Sequence, residues 1–364
     1  MMVMALYYIK ENLDLSEERK KNARSKARAD VEGILDQLGY RPINVPASSV
    51  ERTISKHLDV ARKWKAALDF LNSGDILAIQ FPIINHSVLL VFILRDLKKR
   101  GVVTVLITHD IETLRLARVG GGKARWKIRR LLEEVGAMKT AGAIIVHNDR
   151  MKERLCRFGV SEDRMTSLGI FDYLIPGSAE EDLICRDSRT DPVIIAGNLE
   201  RKKCGYLYAL PDCREYNLYG IGYEDQRKKW IHYFGSFTPE ELPLILRGSF
   251  GLIWDGEAAD TCTGVFGEYL KINNPHKTSL YLASGHPVIV WSQSAMADFV
   301  LTNEVGIAVD SLYDLDEAIG KVSEEEYARM CRNAEEISRK LRSGFYLSTA
   351  LKKAIAKAAM SDLR

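Results

Sequence analysis

The sequence predicts an α/β protein built from two doubly wound, Rossmann-like domains that face a cleft. Three observations predict it. Short apolar runs alternate with helix-period stretches along nearly the whole chain, the pattern of parallel sheets covered by helices on both faces. The alternation stops once, in a polar stretch after Leu174, and then resumes. At 364 residues the chain is also long for one core, and two domains account for that length better.

In the first half, Val3–Ile9 reads as a buried opening strand, followed by a helix from about Ser16 to Leu38 that Gly39 stops. A strand at Ile43–Val45, a helix through Leu71, the strand Ile76–Phe81 and a helix from His86 to Lys99 come next. Val102–Thr108, a helix around Lys127–Val135 and the strand Ala143–His147 complete this half. The stretch IPGSAEEDLICRDSRTD, rich in Pro, Gly, Ser and acids, reads as a linker. A second set of strands follows at Val193–Ala196, Asn217–Tyr219, Phe250–Trp254, Val288–Val290 and Ile307–Val309. The tail from Glu324 to Ala359 is helical with a break near Ser343-Gly344. The expected organisation is an N-terminal acceptor-side domain over 1–174, a linker over 175–191, a nucleotide-binding domain over 192–342, and a terminal helix over 343–364 that returns to the first domain.

Bulk properties exclude several classes. Hydrophobic content of 46% with 28% charged residues is that of a folded protein, and a net charge of +3 is too mild to point to nucleic acid. The aromatic residues also lie in apolar runs rather than among the basic ones. Six cysteines without a CxxC pair form no disulfide framework, so a reducing cytoplasm is expected. MMVMALYYIK lacks a basic leader and a cleavage site, and no apolar run is long enough to span a bilayer. His57, His86, His147, His232 and His286 show no metal-ligand spacing and read as structural.

The stretch from Phe250 to Trp291 carries the most chemistry. An apolar strand ends in acids, a polar loop follows, and a helix opens at Pro275-His276-Lys277-Thr278 before a second apolar strand. A helix N-terminus offers free N–H groups and partial positive charge, so Lys277 and Thr278 beside it make a diphosphate seat. An isolated lysine in a first helical turn is usually just solvated, and it is the surrounding pattern that favours the seat. After the strand VIIA, Gly197-Asn198 allow a ligand close to the strand end, and Arg201 could grip phosphate bidentately; an ordinary turn explains the same residues equally well. Asp255, Glu257 and Asp260 superficially resemble a metal-holding acidic motif, but their spacing is weak for that, and sugar-hydroxyl contacts or plain loop acids are favoured.

In the first domain, His109-Asp110 close the strand VVTVLIT, where open α/β sheets place active-site groups. Either could take a proton from an acceptor hydroxyl, or they could be a structural histidine and a helix cap. Between Arg115 and Arg130 the chain is densely basic around Gly120-Gly121-Gly122. This segment could touch anionic lipid or form a solvated helix face, and it is not a phosphate loop because no Ser or Thr follows Lys123.

The segments GEYLKINNPHKTSLYLA and SLYLASGHPVIVWSQSAMADFV, with ILAIQFP, VLITHDIETLR, AGNLER and FGLIWDG, resemble bacterial galactofuranosyltransferases over most of the chain. More distantly they resemble the glucosyltransferase acting on serine-rich adhesins. The resemblance implies a GT-B glycosyltransferase that is inverting and metal-independent. It implies a UDP-sugar donor held mainly by the second domain, and no other cofactor. Arg201 and Lys277 match positions that contact the diphosphate, Ser236-Phe237 match a stretch near the nucleotide, and Glu268, Tyr269, Asn274 and His276 belong to the same donor-binding run. Asn22, Ser25 and Lys26 resemble a cleft-facing loop, and the GVFGEYLKINNP insertion favours a furanose donor. The implied acceptor is a lipid-linked or protein-linked glycan of the cell surface, met in the cytoplasm or at the inner face of the membrane through residues 115–130, with oligomeric state left open. A UDP-sugar epimerase and a non-catalytic UDP-sugar-binding subunit share the architecture and are the rivals.

Overall fold

A strand covered by helices on both faces must be apolar at successive positions, and the short Val/Ile/Leu runs satisfy this. The structure, a computed structural model, describes residues 4–12, 23–46, 54–84, 89–115, 129–175, 188–224 and 228–361. The chain divides into two compact units. One comprises Met1–Ser16, Val31–Leu168 and Leu347–Arg364, and the other Glu17–Asp30 and Gly169–Tyr346. The central part of the expected linker, 176–187, lies outside the described residues.

The first unit holds β1 (Leu6–Asn12), β2 (Arg41–Pro46), β3 (Ile76–Phe81), β4 (Val103–Thr108), β5 (Ala143–Val146) and β6 (Met165–Ser167). They form one parallel sheet in the order β2-β1-β3-β4-β5-β6. Every residue of β3 is buried. β1 starts and ends three residues later than its apolar run suggests, because it pairs with β2 as far as Asn12↔Pro46, so sheet hydrogen bonds carry the polar Lys10 and Glu11 into the strand. Helices Ala23–Gln37, Ile54–Ala67, Leu90–Lys99, Gly136–Thr140 and Asp149–Cys156 lie between the strands in sequence. Where a helix is expected around Lys127–Val135, residues 129 and 130 are helical and Leu131–Val135 form a π-helical turn. Such a turn inserts one residue and shifts the side chains around it. Here it accompanies burial of both Glu133 and Glu134, and Glu134 accepts the backbone N–H groups of Glu112 (3.1 Å) and Thr113 (2.7 Å).

The second unit holds β7 (Val193–Asn198), β8 (Tyr216–Ile221), β9 (Ile231–Tyr233), β10 (Gly251–Ile253), β11 (Val288–Trp291) and β12 (Gly306–Val309), again all parallel, in the order β12-β11-β10-β7-β8-β9. Its core is one continuous apolar cluster that includes Ile194, Leu218, Phe250, Trp254, Tyr281 and Val290. Glu324–Arg342 and Phe345–Ser361 are helical, separated by a short turn at Ser343-Gly344, and the first of them opens with a Ser323/Glu326 capping box. In the first unit, Lys357 of the last helix donates to the Met165 carbonyl at 2.8 Å. No helix among the described residues is long and apolar enough to cross a membrane.

Candidate functional site

In the second unit the chain winds from β7 outward to β9 on one side and from β10 outward to β12 on the other, so the winding reverses between β7 and β10. Open α/β sheets form a crevice at such a reversal, beyond the carboxyl ends of the strands. β7 ends there in Gly197-Asn198, and β10 runs into Trp254-Asp255. Gly197 has φ +119°, a conformation that side chains rarely adopt, and a Cβ built on it would stand 3.7 Å from Lys277 Cε. The Asn198 side chain accepts the Glu200 N–H at 2.8 Å and fixes the turn into the Arg201–Cys204 helix.

Lys277 reaches this point from the second position of the His276–Ala283 helix. Its ammonium donates to Asp255 Oδ1 at 2.9 Å and to the Trp254 carbonyl at 3.3 Å, and both charged side chains are only 11% exposed. Burial works against the ammonium, but Asp255, with Cys204 and Tyr281 nearby, more than reverses this, so its pKa stands above the usual lysine range. The Tyr281 hydroxyl, one turn further along the helix, accepts the Ala196 N–H at 2.7 Å and ties the helix to β7. Gly197, Asp255, Lys277 and the helix N-terminus therefore converge at the switch point. Sequence separation hides the Asp255–Lys277 pair, 22 residues apart, since no local pattern links a strand-end acid to a helix-start lysine.

The other expected donor residues have partners of their own. Arg201 is exposed, and its guanidinium stacks at 4.4 Å over Tyr208. Ser236 is exposed, while Phe237 is half-buried with its ring centroid 6.3 Å from that of Tyr219. Glu268 pairs with Lys271 at 2.9 Å. Tyr269 and Thr278 are 4% and 0% exposed, so both side chains lie inside the fold. Asn274 gives its amide to the Gly169 carbonyl at 2.9 Å and holds the loop before the helix. Glu257 and Asp260 are exposed on the loop after Asp255.

His276 packs its ring against Phe171 (6.0 Å) and Tyr173 (5.1 Å). Lys26 lies 4.7 Å over the Tyr173 ring, donates to the Leu174 carbonyl at 2.6 Å and pairs with Asp30. The segment expected as a cleft-facing loop at Asn22–Lys26 is helical at Ser25 and Lys26, and the buried Lys26 ammonium is already engaged by Asp30 and a carbonyl. Asn22 lies outside the described residues.

Burial first, and the Lys26 charge second, push His276 down to about 3, and burial pushes His147 of the first unit down to about 4. Both lie below the ordinary value of 6.5, so the unfolded chain binds more protons than the folded one between these limits. Their contribution to stability is complete above about 6.5 and is lost as pH falls toward the folded values. Asp30, raised to about 6 mainly by burial against the opposing pull of Lys26, works the other way and favours folding more as pH falls from there toward 4. Replacing His276 by Gln should thus reduce the loss of thermal midpoint between neutral and mildly acid pH. An unchanged slope in His276→Gln would show that the imidazole takes up its proton freely in the folded protein.

In the first unit, His109 and Asp110 follow β4. His109 is 8% exposed; its Nε2 lies 2.8 Å from Gln80 Oε1, its backbone N–H donates to Phe81, and its carbonyl is 3.1 Å from His147 Nε2. Asp110 is the more open of the two, with a side chain 47% exposed and Arg115 at 3.6 Å. Glu112, three residues before Arg115, binds both Arg115 (3.5 Å) and Arg130 (3.0 Å). The winding of this sheet reverses between β1 and β3, and there the Glu11 carboxylate accepts the Ile84 N–H at 2.9 Å, a link that sequence reasoning did not reach. Most of the basic segment, 116–128, lies outside the described residues. Among the described residues no group of three or more His, Cys, Asp or Glu is placed to hold a metal ion.

Comparison with known proteins fits this architecture. The sequence models of the glucosyltransferase 3-like N-terminal and C-terminal domains match residues 6–170 and 193–354. Beta-1,6-galactofuranosyltransferase WbbI of Escherichia coli K12 is 35% identical over 92% of this chain and 95% of its own length. Glucosyltransferase 3 of Streptococcus gordonii is 24% identical over 89% of this chain and 92% of its own. Among solved structures, Anabaena HepE in complex with UDP superposes with a TM-score of 0.56 at 12% identity, covering 98% of this chain and 100% of that one. With both domain models matched and a relative above one-third identity along nearly its whole length, the chain belongs to the glucosyltransferase 3-like family and is a glycosyltransferase with the two doubly wound domains of the GT-B architecture.

Proposed function

We propose that this enzyme takes galactofuranose from UDP-galactofuranose and passes it, with inversion, to a hydroxyl of a growing cell-surface glycan, without a metal ion. The observation that carries the reading is Lys277, a nearly buried cation at a helix N-terminus and a strand switch point, held in place by Asp255. The galactofuranosyltransferase at 35% identity supports the choice of sugar. HepE, a protein of similar fold, is known in complex with UDP, which supports a uridine nucleotide.

In this reading the acceptor oxygen attacks the anomeric carbon as the bond to the diphosphate breaks, and UDP leaves with the bonding electrons. Asp110 takes the acceptor proton. It is preferred over His109 because its carboxylate is half exposed, whereas the His109 ring is buried against Gln80. The transition state gathers positive charge on the sugar ring and negative charge on the leaving group, so Lys277 and the helix N-terminus act on the side where charge accumulates. Arg201, exposed and stacked on Tyr208, adds a second phosphate contact in this reading.

A glucosyl donor is the second reading, favoured by the glucosyltransferase at 24% identity. A thermal-shift panel separates the two, because a ligand that binds the folded state raises apparent stability by mass action. UDP-galactofuranose should raise the midpoint more than UDP-glucose. A larger shift with UDP-glucose would replace the sugar, and no shift with any uridine nucleotide would end the donor reading. Transfer should proceed undiminished in excess EDTA, and strict dependence on a divalent ion would overturn the metal-free mechanism. Conversion of the donor without any acceptor would identify an epimerase instead.

A further inference from the structure

Three helices of the first unit pack side by side: Ile54–Ala67 on Leu90–Lys99, and Leu90–Lys99 on Gly136–Thr140, which continues from the π-helical turn. Two contacts draw the ends of these elements together. Arg129 Nη2 lies 3.1 Å from His57 Nε2, and a Cβ on Gly136 would stand 3.2 Å from Val91 Cγ2. The inward sides are ordinary core, formed by Val60, Trp64, Leu94, Leu97 and Met138.

The outward sides are not purely polar. Leu58 is 45% exposed, Phe92 61%, Leu131 39% and Leu132 62%, and each lies within a few residues of one of the two contacts. Exposed apolar residues are unremarkable singly, but four from three adjoining elements gathered near the same helix ends need an explanation. Beyond two of these apolar points runs a basic stripe at helical spacing. Arg62 and Lys65 follow Leu58, and Arg95 and Lys99 follow Phe92, all exposed, with the Arg95 guanidinium 5.8 Å from the Phe92 ring. Two acids on these helices are matched within them or close by, Asp59 by Lys63 at 2.8 Å and Asp96 by Arg100 at 3.8 Å.

We infer that this face rests on an anionic membrane surface. Leu58, Phe92, Leu131 and Leu132 enter the headgroup layer, and the two basic stripes meet lipid phosphates. Apolar side chains beside Lys and Arg on a helical surface are the arrangement that anchors proteins at such an interface, by apolar burial together with attraction to anionic lipid. A second copy of the chain fits less well, since a two-fold contact would set the basic stripes against themselves. The inference does not depend on the identity of the donor, because the test reads binding and not transfer.

The test is co-sedimentation of the full chain with vesicles of phosphatidylcholine alone and with about one-third phosphatidylglycerol, at about 0.1 M salt. Retention on the anionic vesicles should be at least about tenfold greater and should fall as salt rises. The pair Phe92→Ser with Leu132→Ser should lower it about tenfold, and the pair Arg95→Glu with Lys99→Glu should remove the preference for anionic lipid, both with unchanged thermal midpoints. Equal retention on the two vesicle types, or full retention by both double variants, would overturn the inference. A concentration-dependent dimer in light scattering that the same variants abolish would overturn it in favour of a second copy.

Discussion

Replacing Lys277 by Ala should lower sugar transfer by about two orders of magnitude or more, the usual loss when one preorganised electrostatic group is removed from an active site. The lysine is placed before any donor arrives: its side chain is 11% exposed, its stem lies against Gly197, and Asp255 holds its ammonium at 2.9 Å. No reorganisation is then needed as charge builds on the departing diphosphate, and around a nearly buried ammonium the attraction is stronger than in bulk water. The substitution also leaves the nearly buried Asp255 carboxylate without its counter-charge and repelling the diphosphate. Because the interaction strengthens in the transition state, kcat and kcat/KM should fall together, and Lys277→Arg should restore part of the loss. Initial rates with UDP-galactofuranose, beside a circular dichroism check of folding, decide the matter. Near-normal turnover in Lys277→Ala would sink the assignment.

The largest expected loss of stability comes from Gly220→Ala. Gly220 pairs with Gly197 where β8 runs beside β7, at φ +149°, and an added Cβ would lie 1.8 Å from the Gly197 carbonyl oxygen. The obstacle is backbone near the end of the β7–β8 ladder, so no side-chain rotation can relieve it. The strand ends would have to separate and give up sheet hydrogen bonds, at a cost of about 3 kcal/mol or more once the strained conformation is added. Since Gly197 underlies the Lys277 stem, transfer should fall along with stability. Urea unfolding followed by tryptophan fluorescence would measure the effect. A midpoint like that of the unsubstituted protein would show that the strand ends are looser than their register implies.

The alternating sheets were legible because their signal is local. Runs such as Ile76–Phe81, buried at every position, announce parallel strands covered on both faces. The strands β6 and β9 were not legible, since each has only three residues, too few to show a strand period, and pairs at the edge of its sheet. The π-helical turn was also hidden. Glu134 is placed by the backbone of Glu112 and Thr113, and that partnership across 22 residues leaves no trace in helical periodicity.

The candidate site divides in the same way. The helix start at Pro275-His276-Lys277 and the Gly197-Asn198 strand end could be read from residue types, because helix termini and strand-to-helix turns impose chemistry within a few residues. Burial could not be read: Thr278, beside the expected diphosphate seat, is fully inside the fold, and Lys26, expected on a cleft-facing loop, is helical and engaged by Asp30 and the Leu174 carbonyl.

By itself, then, the sequence determined that this is a protein of two parallel α/β sheets with a helix start at Pro275-His276-Lys277 following a strand, since propensity, periodicity and capping act over short stretches of chain. Only the tertiary structure decided that Lys277 meets Asp255 over Gly197 at the reversal between β7 and β10. Ion pairing and desolvation depend on distances through space, which the order of residues along the chain does not contain.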